Sequence, residues 1–131
     1  MNKERHFTIP FEPKSKKNSQ RILINRKTGR PFIMPSAASE KYSAMVAYFL
    51  PKPRLYIDYP VNIKCHFYMK TRKKVDLVNL LECIDDCMVR YGTVKDDNYK
   101  YIAGHDGSRV YVDPEKPRTE IWITPIEESE E

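Results

Sequence analysis

Residues 61–69 read Val-Asn-Ile-Lys-Cys-His-Phe-Tyr-Met, and residues 76–92 read Asp-Leu-Val-Asn-Leu-Leu-Glu-Cys-Ile-Asp-Asp-Cys-Met-Val-Arg-Tyr-Gly. The first stretch alternates apolar and polar residues without a break, which predicts a strand with one buried face. In the second, apolar residues recur at helical spacing and predict a helix over 77–91 that ends at Gly92. A long strand followed by an amphipathic helix is typical of a domain in which a sheet packs against helices.

Shorter patterns extend this prediction in both directions along the chain. We expect a further helix, capped by Ser36 and ended before Pro51. This helix spans 37–49, and the remaining expected elements are strands at 6–10, 21–25, 30–34, 99–103, 109–112 and 118–124. Their order predicts one small α+β domain spanning residues 1–131, a mixed sheet packed with two main helices, and a disordered acidic tail at 126–131.

The 131-residue chain has a net charge of +5, but the charge is unevenly distributed. Residues 1–74 carry 17 Lys and Arg against 4 Asp and Glu, whereas residues 75–131 carry 6 against 14. The basic half suggests a polyanion as partner, and the acidic half then calls for a metal ion, because carboxylates repel phosphates. There is no apolar run that could span a bilayer and no secretory signal, and the three cysteines are sparse, so we expect a cytoplasmic protein without a membrane partner.

Three aspartates are the first candidates for a metal site. Asp76 starts the predicted helix, and Asp96 and Asp97 start the strand after it, so the carboxylates are expected to converge at one edge of the sheet. Mg²⁺ takes one or two protein carboxylates and keeps water or phosphate oxygens in its other positions. The alternative is purely structural, with Asp76 as a helix cap and residues 96–98 as a turn.

The polar face of the same helix adds Asn79, Glu82 and Asp86. Glu82 lies one turn beyond Asn79, and its side chain leans toward the start of the helix, where it could reach an ion held by Asp76. Asp86 lies about 15 Å along the axis from Asp76, too far for the same ion, so we expect Asn79 and Asp86 only to support the site. The alternative is a plain solvated face.

Basic residues of the first half are concentrated in three turns or loops with almost no acidic partner. Such cations contact phosphates without reading sequence, although a charged surface can also serve solubility alone. We find no phosphate loop, no dinucleotide motif and no paired Cys and His spacing, so no small-molecule cofactor or zinc is expected. The predicted DNA-binding residues are Lys14, Lys16, Lys17, Asn18, Arg21, Arg26, Lys27, Arg30, Arg72, Lys73 and Lys74.

The order of these motifs resembles the RusA family of Holliday junction resolvases. The resemblance is carried by residues 74–82 (Lys-Val-Asp-Leu-Val-Asn-Leu-Leu-Glu), by Asp85-Asp86 in the helix and by Lys95-Asp96-Asp97. The basic loop at 13–18, Pro-Lys-Ser-Lys-Lys-Asn, matches the position of a Pro-x-Ser-x-Asn-like segment in the family, and a tyrosine-containing helix follows it. The resemblance extends over most of the chain, from about residue 6 to residue 125.

The resemblance implies an endonuclease that acts as a homodimer on four-way DNA junctions in recombination and repair. Such enzymes use Mg²⁺, with Mn²⁺ as the alternative ion, and cut two strands of like polarity to leave ligatable nicks. They are often encoded by phages or prophages. Carried onto this chain, the resemblance implies that Asp76 and Asp97 are catalytic and that both bind the metal together with Asp96. We add Glu82 to both the catalytic residues and the metal ligands for a reason of our own.

Two positions depart from the commoner family pattern, since its second aspartate falls on Val78 and its lysine falls on Glu82. We expect Glu82 to restore the number of carboxylates, and the alternative is a site that binds metal weakly or not at all. The missing lysine leaves Lys74 or Lys95 as the cation beside the scissile phosphate. Two other functions stay open: a non-catalytic binder of branched DNA on the same scaffold, and a basic RNA- or ribosome-associated domain.

Overall fold

The computed structural model describes residues 3–15, 20–35 and 37–126, and it contains a mixed sheet and two helices. The predicted small α+β domain is therefore confirmed. Ser36 and residues 127–131, predicted as a helix cap and as most of an acidic tail, lie outside these ranges. The elements are β1 (Arg5–Ile9), β2 (Gln20–Ile24), β3 (Pro31–Pro35), α1 (Ala37–Ala47), β4 (Val61–Met69), α2 (Leu77–Arg90), β5 (Ile102–Gly104), β6 (Arg109–Val112) and β7 (Arg118–Pro125).

The long strand β4 organises the main sheet. On one side, β7 lies between β1 and β4 and runs antiparallel to both. On the other side, β5 and β6 both run parallel to β4, the former along its first residues and the latter along its last four. The hairpin predicted at 21–34 is confirmed as a separate antiparallel pair of β2 and β3.

One face of the sheet forms the core with the helices. All five apolar residues of β4 are buried, as their alternation predicts, whereas the residues between them are half-buried on the other face. Helix α2 buries Leu80, Leu81, Cys83, Ile84, Cys87 and Met88 in the same apolar cluster. Each large apolar side chain that is removed from water contributes about 1.5–3 kcal/mol to the stability of the fold. The apolar stripe therefore fixes which side of α2 is buried and which side can line a functional site.

The opposite face of the sheet is covered by its own upright side chains. Trp122 stands between its two cross-strand neighbours, with the His6 ring stacked at 4.5 Å and the Lys64 ammonium 4.5 Å from its ring centroid. Arg118 lies 3.8 Å from the ring centroid of Tyr68 in the same manner. The faces of these two rings are therefore already occupied within the sheet.

The strand predicted at 99–103 is wrong in its first three residues. The Asn98 carbonyl oxygen accepts hydrogen bonds from the backbone N–H groups of Tyr101 and Ile102, at 3.0 and 2.9 Å, so residues 98–101 form a turn. Tyr99, which counts as apolar in the sequence pattern, is 77% exposed. Asp96 and Asp97 therefore precede a turn and do not open the strand directly.

The ends of the helices agree with the sequence to within two residues. Helix α1 ends at Ala47 and α2 at Arg90. Gly92 has φ +80°, the left-handed conformation expected of the glycine that ends a helix. In the ranges that the structure describes, no helix is long and apolar enough to cross a membrane.

Candidate functional site: an acidic cavity on helix α2

The outer face of α2 lines a cavity of 320 Å³ that is rich in carboxylates. Helix α2 supplies residues spaced one and two turns apart, which places them on one side of the helix. Asp97 comes from the segment just before the turn at 98–101, and His105 is the first residue after β5. The complete lining is Val78, Leu81, Glu82, Asp85, Asp86, Asp97 and His105.

His105 is held between the sheet and the helix by both of its ring nitrogens. Its Nδ1 lies 2.9 Å from the carbonyl oxygen of Ile63, and its Nε2 lies 2.8 Å from Oδ2 of Asp85. Because a carbonyl oxygen only accepts, Nδ1 carries a hydrogen and donates it to Ile63. A hydrogen bond between Nε2 and the carboxyl group of Asp85 then requires one further proton, which the two residues share.

The pKa shifts of the two groups agree with this shared proton. Burial raises the pKa of Asp85, and the charges of Asp86 and Asp97 raise it further, against the lowering effect of His105. Burial alone would lower the pKa of His105, but the hydrogen bond and charge of Asp85 raise it above its usual value. Both directions favour keeping the proton between the two residues.

The second carboxyl oxygen of Asp85 has a different environment. Oδ1 is buried and has no hydrogen-bond partner in the described part of the chain. An unpartnered buried acceptor costs about 1–3 kcal/mol, so a donor or a cation brought by a ligand would be stabilised there.

Of the residues predicted as ligands, Glu82 and Asp97 line the cavity and Asp76 and Asp96 do not. Asp96 accepts hydrogen bonds from the backbone N–H of Asp97, at 2.8 Å, and from the side chain of Asn98, at 3.2 Å. This is the geometry of the turn alternative for Asp96.

Asp76 occupies the N-cap position of α2 but makes no side-chain cap hydrogen bond. Instead, its carboxylate accepts a hydrogen bond from the side chain of Asn79 at 3.1 Å, so Asn79 supports Asp76 locally. Asp86, predicted as a supporting residue, lines the cavity beside Glu82 and Asp85. Neither Lys74 nor Lys95 does so.

The donor set of the cavity suits Mg²⁺ by its chemistry, since carboxylate oxygens are the ligands that this ion prefers. Among residues 3–15, 20–35 and 37–126, no group of three or more His, Cys, Asp or Glu side chains is arranged to hold a metal ion. Mg²⁺ is, however, commonly held by one or two protein carboxylates together with water and substrate phosphates. Glu82 and Asp97 fit that mode of binding, and the larger grouping with Asp76 and Asp96 stays a prediction.

Sequence reasoning missed Asp85 and His105 as members of the site. Asp85 carried a usable signal, because at 100° per residue it lies only about 60° around the helix from Glu82. His105 carried none, because nothing local to residues 104–106 indicates that the imidazole meets α2. The pair is recognisable only once β5 is placed beside β4.

Two of the predicted basic segments lie side by side. Glu12, just after β1, accepts a hydrogen bond from the backbone N–H of Lys70 at 2.7 Å and pairs with the Lys73 ammonium at 3.3 Å. The segment at 70–74 is thereby fixed beside the start of the basic loop. Lys16, Lys17, Asn18 and the side chain of Arg21 lie outside the described residues, whereas Lys14, Arg26, Lys27, Arg30, Arg72, Lys73 and Lys74 are exposed.

Comparison with protein-family models and with curated proteins adds no relative to these observations. The chain matches no model of a protein family and no curated protein. Function is therefore inferred from the cavity, from the charges around it and from the motif order of the sequence.

Proposed function

We propose that the protein is a Mg²⁺-dependent endonuclease that cuts branched DNA, and four-way junctions in particular, in the manner of the RusA-like resolvases. The observation that carries the proposal is that Glu82 and Asp97, selected from the sequence, line one cavity. The chain has a net charge of +5, which attracts phosphates. Four carboxylates nevertheless line one cavity, and their negative charge favours a bound cation there.

In this proposal Glu82 and Asp97 hold the ion, with Mn²⁺ as the alternative to Mg²⁺. When bound, the ion would polarise the phosphodiester and lower the pKa of a water molecule. His105 fixes Oδ2 of Asp85, which leaves Oδ1 to accept a hydrogen bond from water or substrate. The DNA backbones are held by the exposed cations of the segment at 70–74 and of the tip of the β2–β3 hairpin, which are Arg26, Lys27 and Arg30.

The remaining parts of the proposal concern assembly and place of action. A homodimer would present two such cavities, which suits a substrate with two strands to cut. We place the protein in the cytoplasm, in DNA recombination or repair, and a phage or prophage origin agrees with the resemblance.

The test is cleavage of an end-labelled four-way junction with and without Mg²⁺. We expect paired nicks from the wild type, none without a divalent ion, and a loss of about 100-fold or more in Asp97→Asn and Glu82→Gln. Asp58→Asn is the matched control, because Asp58 is exposed and does not line the cavity, and it should cut normally. A junction that is bound but stays uncut with Mg²⁺ and with Mn²⁺ would refute the catalytic proposal.

A second candidate, a non-catalytic binder of branched DNA, is favoured by one observation. No three potential ligands in the described part of the chain are arranged around one ion, and Val78 stands where the family has an aspartate. This candidate predicts junction binding that does not depend on metal and is unaffected by Asp97→Asn. Equal binding to linear duplex, or a preference for RNA, would instead favour the RNA-associated function.

A further inference from the structure

A second cavity, of 460 Å³, lies between α1 and the end of α2. At 100° per residue, Tyr91 is about 180° around α2 from Glu82, so this cavity and the acidic one lie on different sides of the helix. Among the residues that the structure describes, no carboxylate lines it. Its lining is Ala44, Ala47, Tyr48, Lys52, Arg54 and Tyr91.

The fold places Arg54 at this cavity by two specific features. Backbone N–H groups of Tyr56 and Ile57 donate to the carbonyl oxygens of Gly92 and Thr93, both at 2.9 Å, so the segment after Arg54 is tied to the end of α2. Gly92 lacks a side chain where Arg54 crosses it, and a Cβ there would lie 2.7 Å from Cδ of Arg54. The arginine stem therefore packs over the glycine that ends the helix.

The cavity carries two positive side chains, Lys52 and Arg54. Lys52 and Arg54 make no ion pair with any acidic residue that the structure describes. The nearby Arg90, on α2, is paired with Glu40 at 3.3 Å, so that carboxylate is already engaged. Two cations with no ion-pair partner in the described ranges favour an anionic ligand.

The rest of the lining consists of two alanines and two tyrosines. Tyr48 is 76% exposed, and its ring centroid lies 5.5 Å from the Lys52 ammonium. Ala44 and Ala47 of α1 add small apolar side chains to the lining. The hydroxyl of Tyr91 is held 3.2 Å from the Ser43 hydroxyl, which fixes the second aromatic wall. An aromatic ring beside small apolar side chains is the kind of surface on which a planar base stacks.

We propose that this cavity binds a nucleotide, with the phosphate held by Arg54 and Lys52 and the base against Tyr48 and the alanines of α1. Arginine binds phosphate oxygens through two parallel hydrogen bonds, and bases of any sequence stack on aromatic rings. The volume of 460 Å³ is within the ordinary range for a small ligand. The site is independent of catalysis at the acidic cavity and goes beyond the proposed nuclease.

The test is calorimetric titration of the full chain in buffer without divalent cations. The probes are 2′-deoxyadenosine 5′-monophosphate, 2′-deoxyadenosine and inorganic phosphate. We expect one mononucleotide per chain, binding of the nucleoside and of phosphate that is at least tenfold weaker, and a loss of at least tenfold in Arg54→Gln. Arg109→Gln is the matched control, since Arg109 is an exposed arginine on the other face of the sheet, and it should bind normally.

Further measurements distinguish a free nucleotide from a strand end and show whether the variants still fold. A short oligonucleotide with a 5′-phosphate is compared with the mononucleotide and with the same oligonucleotide without the phosphate. If the phosphorylated oligonucleotide binds most tightly, the ligand is a strand end. If the mononucleotide binds more tightly, the ligand is a free nucleotide. Lys52→Gln is a second variant at an exposed position, and both variants should melt as the wild type does. The proposal is overturned if the mononucleotide does not bind, if Arg109→Gln weakens it equally, or if an acidic peptide binds more tightly through Arg54.

Discussion

The imidazole of His105 and the carboxyl group of Asp85 lie 2.8 Å apart in a cavity whose other ionisable groups are all acidic. The pair is mostly buried, with 25% of the histidine side chain and 14% of the aspartate side chain exposed. Its proton is therefore bound more firmly in the folded chain than in the unfolded one. This difference links the folding of the protein to pH.

The free energy of unfolding should fall as the pH rises above neutrality. The pKa of His105 is raised in the folded state, so its contribution is fully present below its unfolded value of about 6.5 and is lost as the pH rises through the folded value. We expect His105→Asn to remove this slope and to cost about 2 kcal/mol at about pH 6, because Asp85 loses its partner. Urea unfolding from about pH 6 to about pH 9 measures both effects.

The matched control for this prediction is His6→Asn. His6 also faces a carboxylate, Glu120, at 3.4 Å, but 44% of its side chain is exposed. The control variant should keep the slope of the wild type. A His105→Asn protein with an unchanged slope would contradict the shared proton.

An added carboxylate at position 78 should strengthen metal binding. Val78 lines the acidic cavity and is 71% exposed, so Val78→Asp adds charge without disturbing the core. We expect the Mg²⁺ concentration for half-maximal binding or cleavage to fall by about tenfold, since ligand charge tunes affinity for such ions. Stability should change by no more than about 0.5 kcal/mol, as for most surface substitutions.

Val112→Asp controls for the effect of an extra negative charge. Val112 is 45% exposed at the end of β6 and does not line the cavity. It should leave the Mg²⁺ dependence unchanged. If Val78→Asp also leaves it unchanged, the ion is not held in this cavity.

Two glycines in the left-handed region should differ in their tolerance of a methyl group. Gly29 has φ +71°, and nothing lies within 4 Å of the place that a Cβ would take, whereas at Gly92, with φ +80°, the Cβ would meet Arg54 at 2.7 Å. We expect Gly29→Ala to cost about 1 kcal/mol from the backbone alone and Gly92→Ala about 2 kcal/mol. Equal losses in chemical unfolding would show that Arg54 does not pack there.

Charges at the hairpin tip should contribute to DNA affinity through salt-dependent interactions with phosphates. Arg26, Lys27 and Arg30 are exposed around a turn that Asn25 fixes by accepting hydrogen bonds from the backbone N–H groups of Lys27 and Thr28. Each substitution by Gln should reduce the slope of log affinity against log salt by about 0.7–0.9 for every phosphate that the side chain neutralises. Lys100→Gln, an exposed lysine outside the basic segments, should leave the slope unchanged.

Strand β4 and helix α2 are predictable from sequence because burial imposes a period on each of them. The alternation over 61–69 and the apolar stripe of α2 both match the observed burial. The turn at 98–101 escapes such a prediction because tyrosine counts as apolar in the pattern although it can stand in water. Asn98 decides the local conformation there, and its side chain accepts a hydrogen bond from the backbone N–H of Lys100 at 3.0 Å.

The candidate site is predictable only in part. Glu82 and Asp97 can be selected from residue type, spacing and resemblance to a family. His105 cannot, because its role depends on hydrogen bonds with Ile63 and Asp85, which are 42 and 20 residues away in sequence. Such long-range neighbours are set by the order of the strands in the sheet, on which local periodicity carries no information.

The position of β7 between β1 and β4 has a consequence for how the chain folds. Arg5 pairs with Ile123 across the sheet, so the first strand gains its partner only when a loop of more than one hundred residues closes. Closing a loop of this length costs entropy before any interaction repays it, and domains dominated by such pairings fold slowly. The edge of β7 that β1 covers stays open until then, and this late step is the one at which chains at high concentration would pair with each other instead.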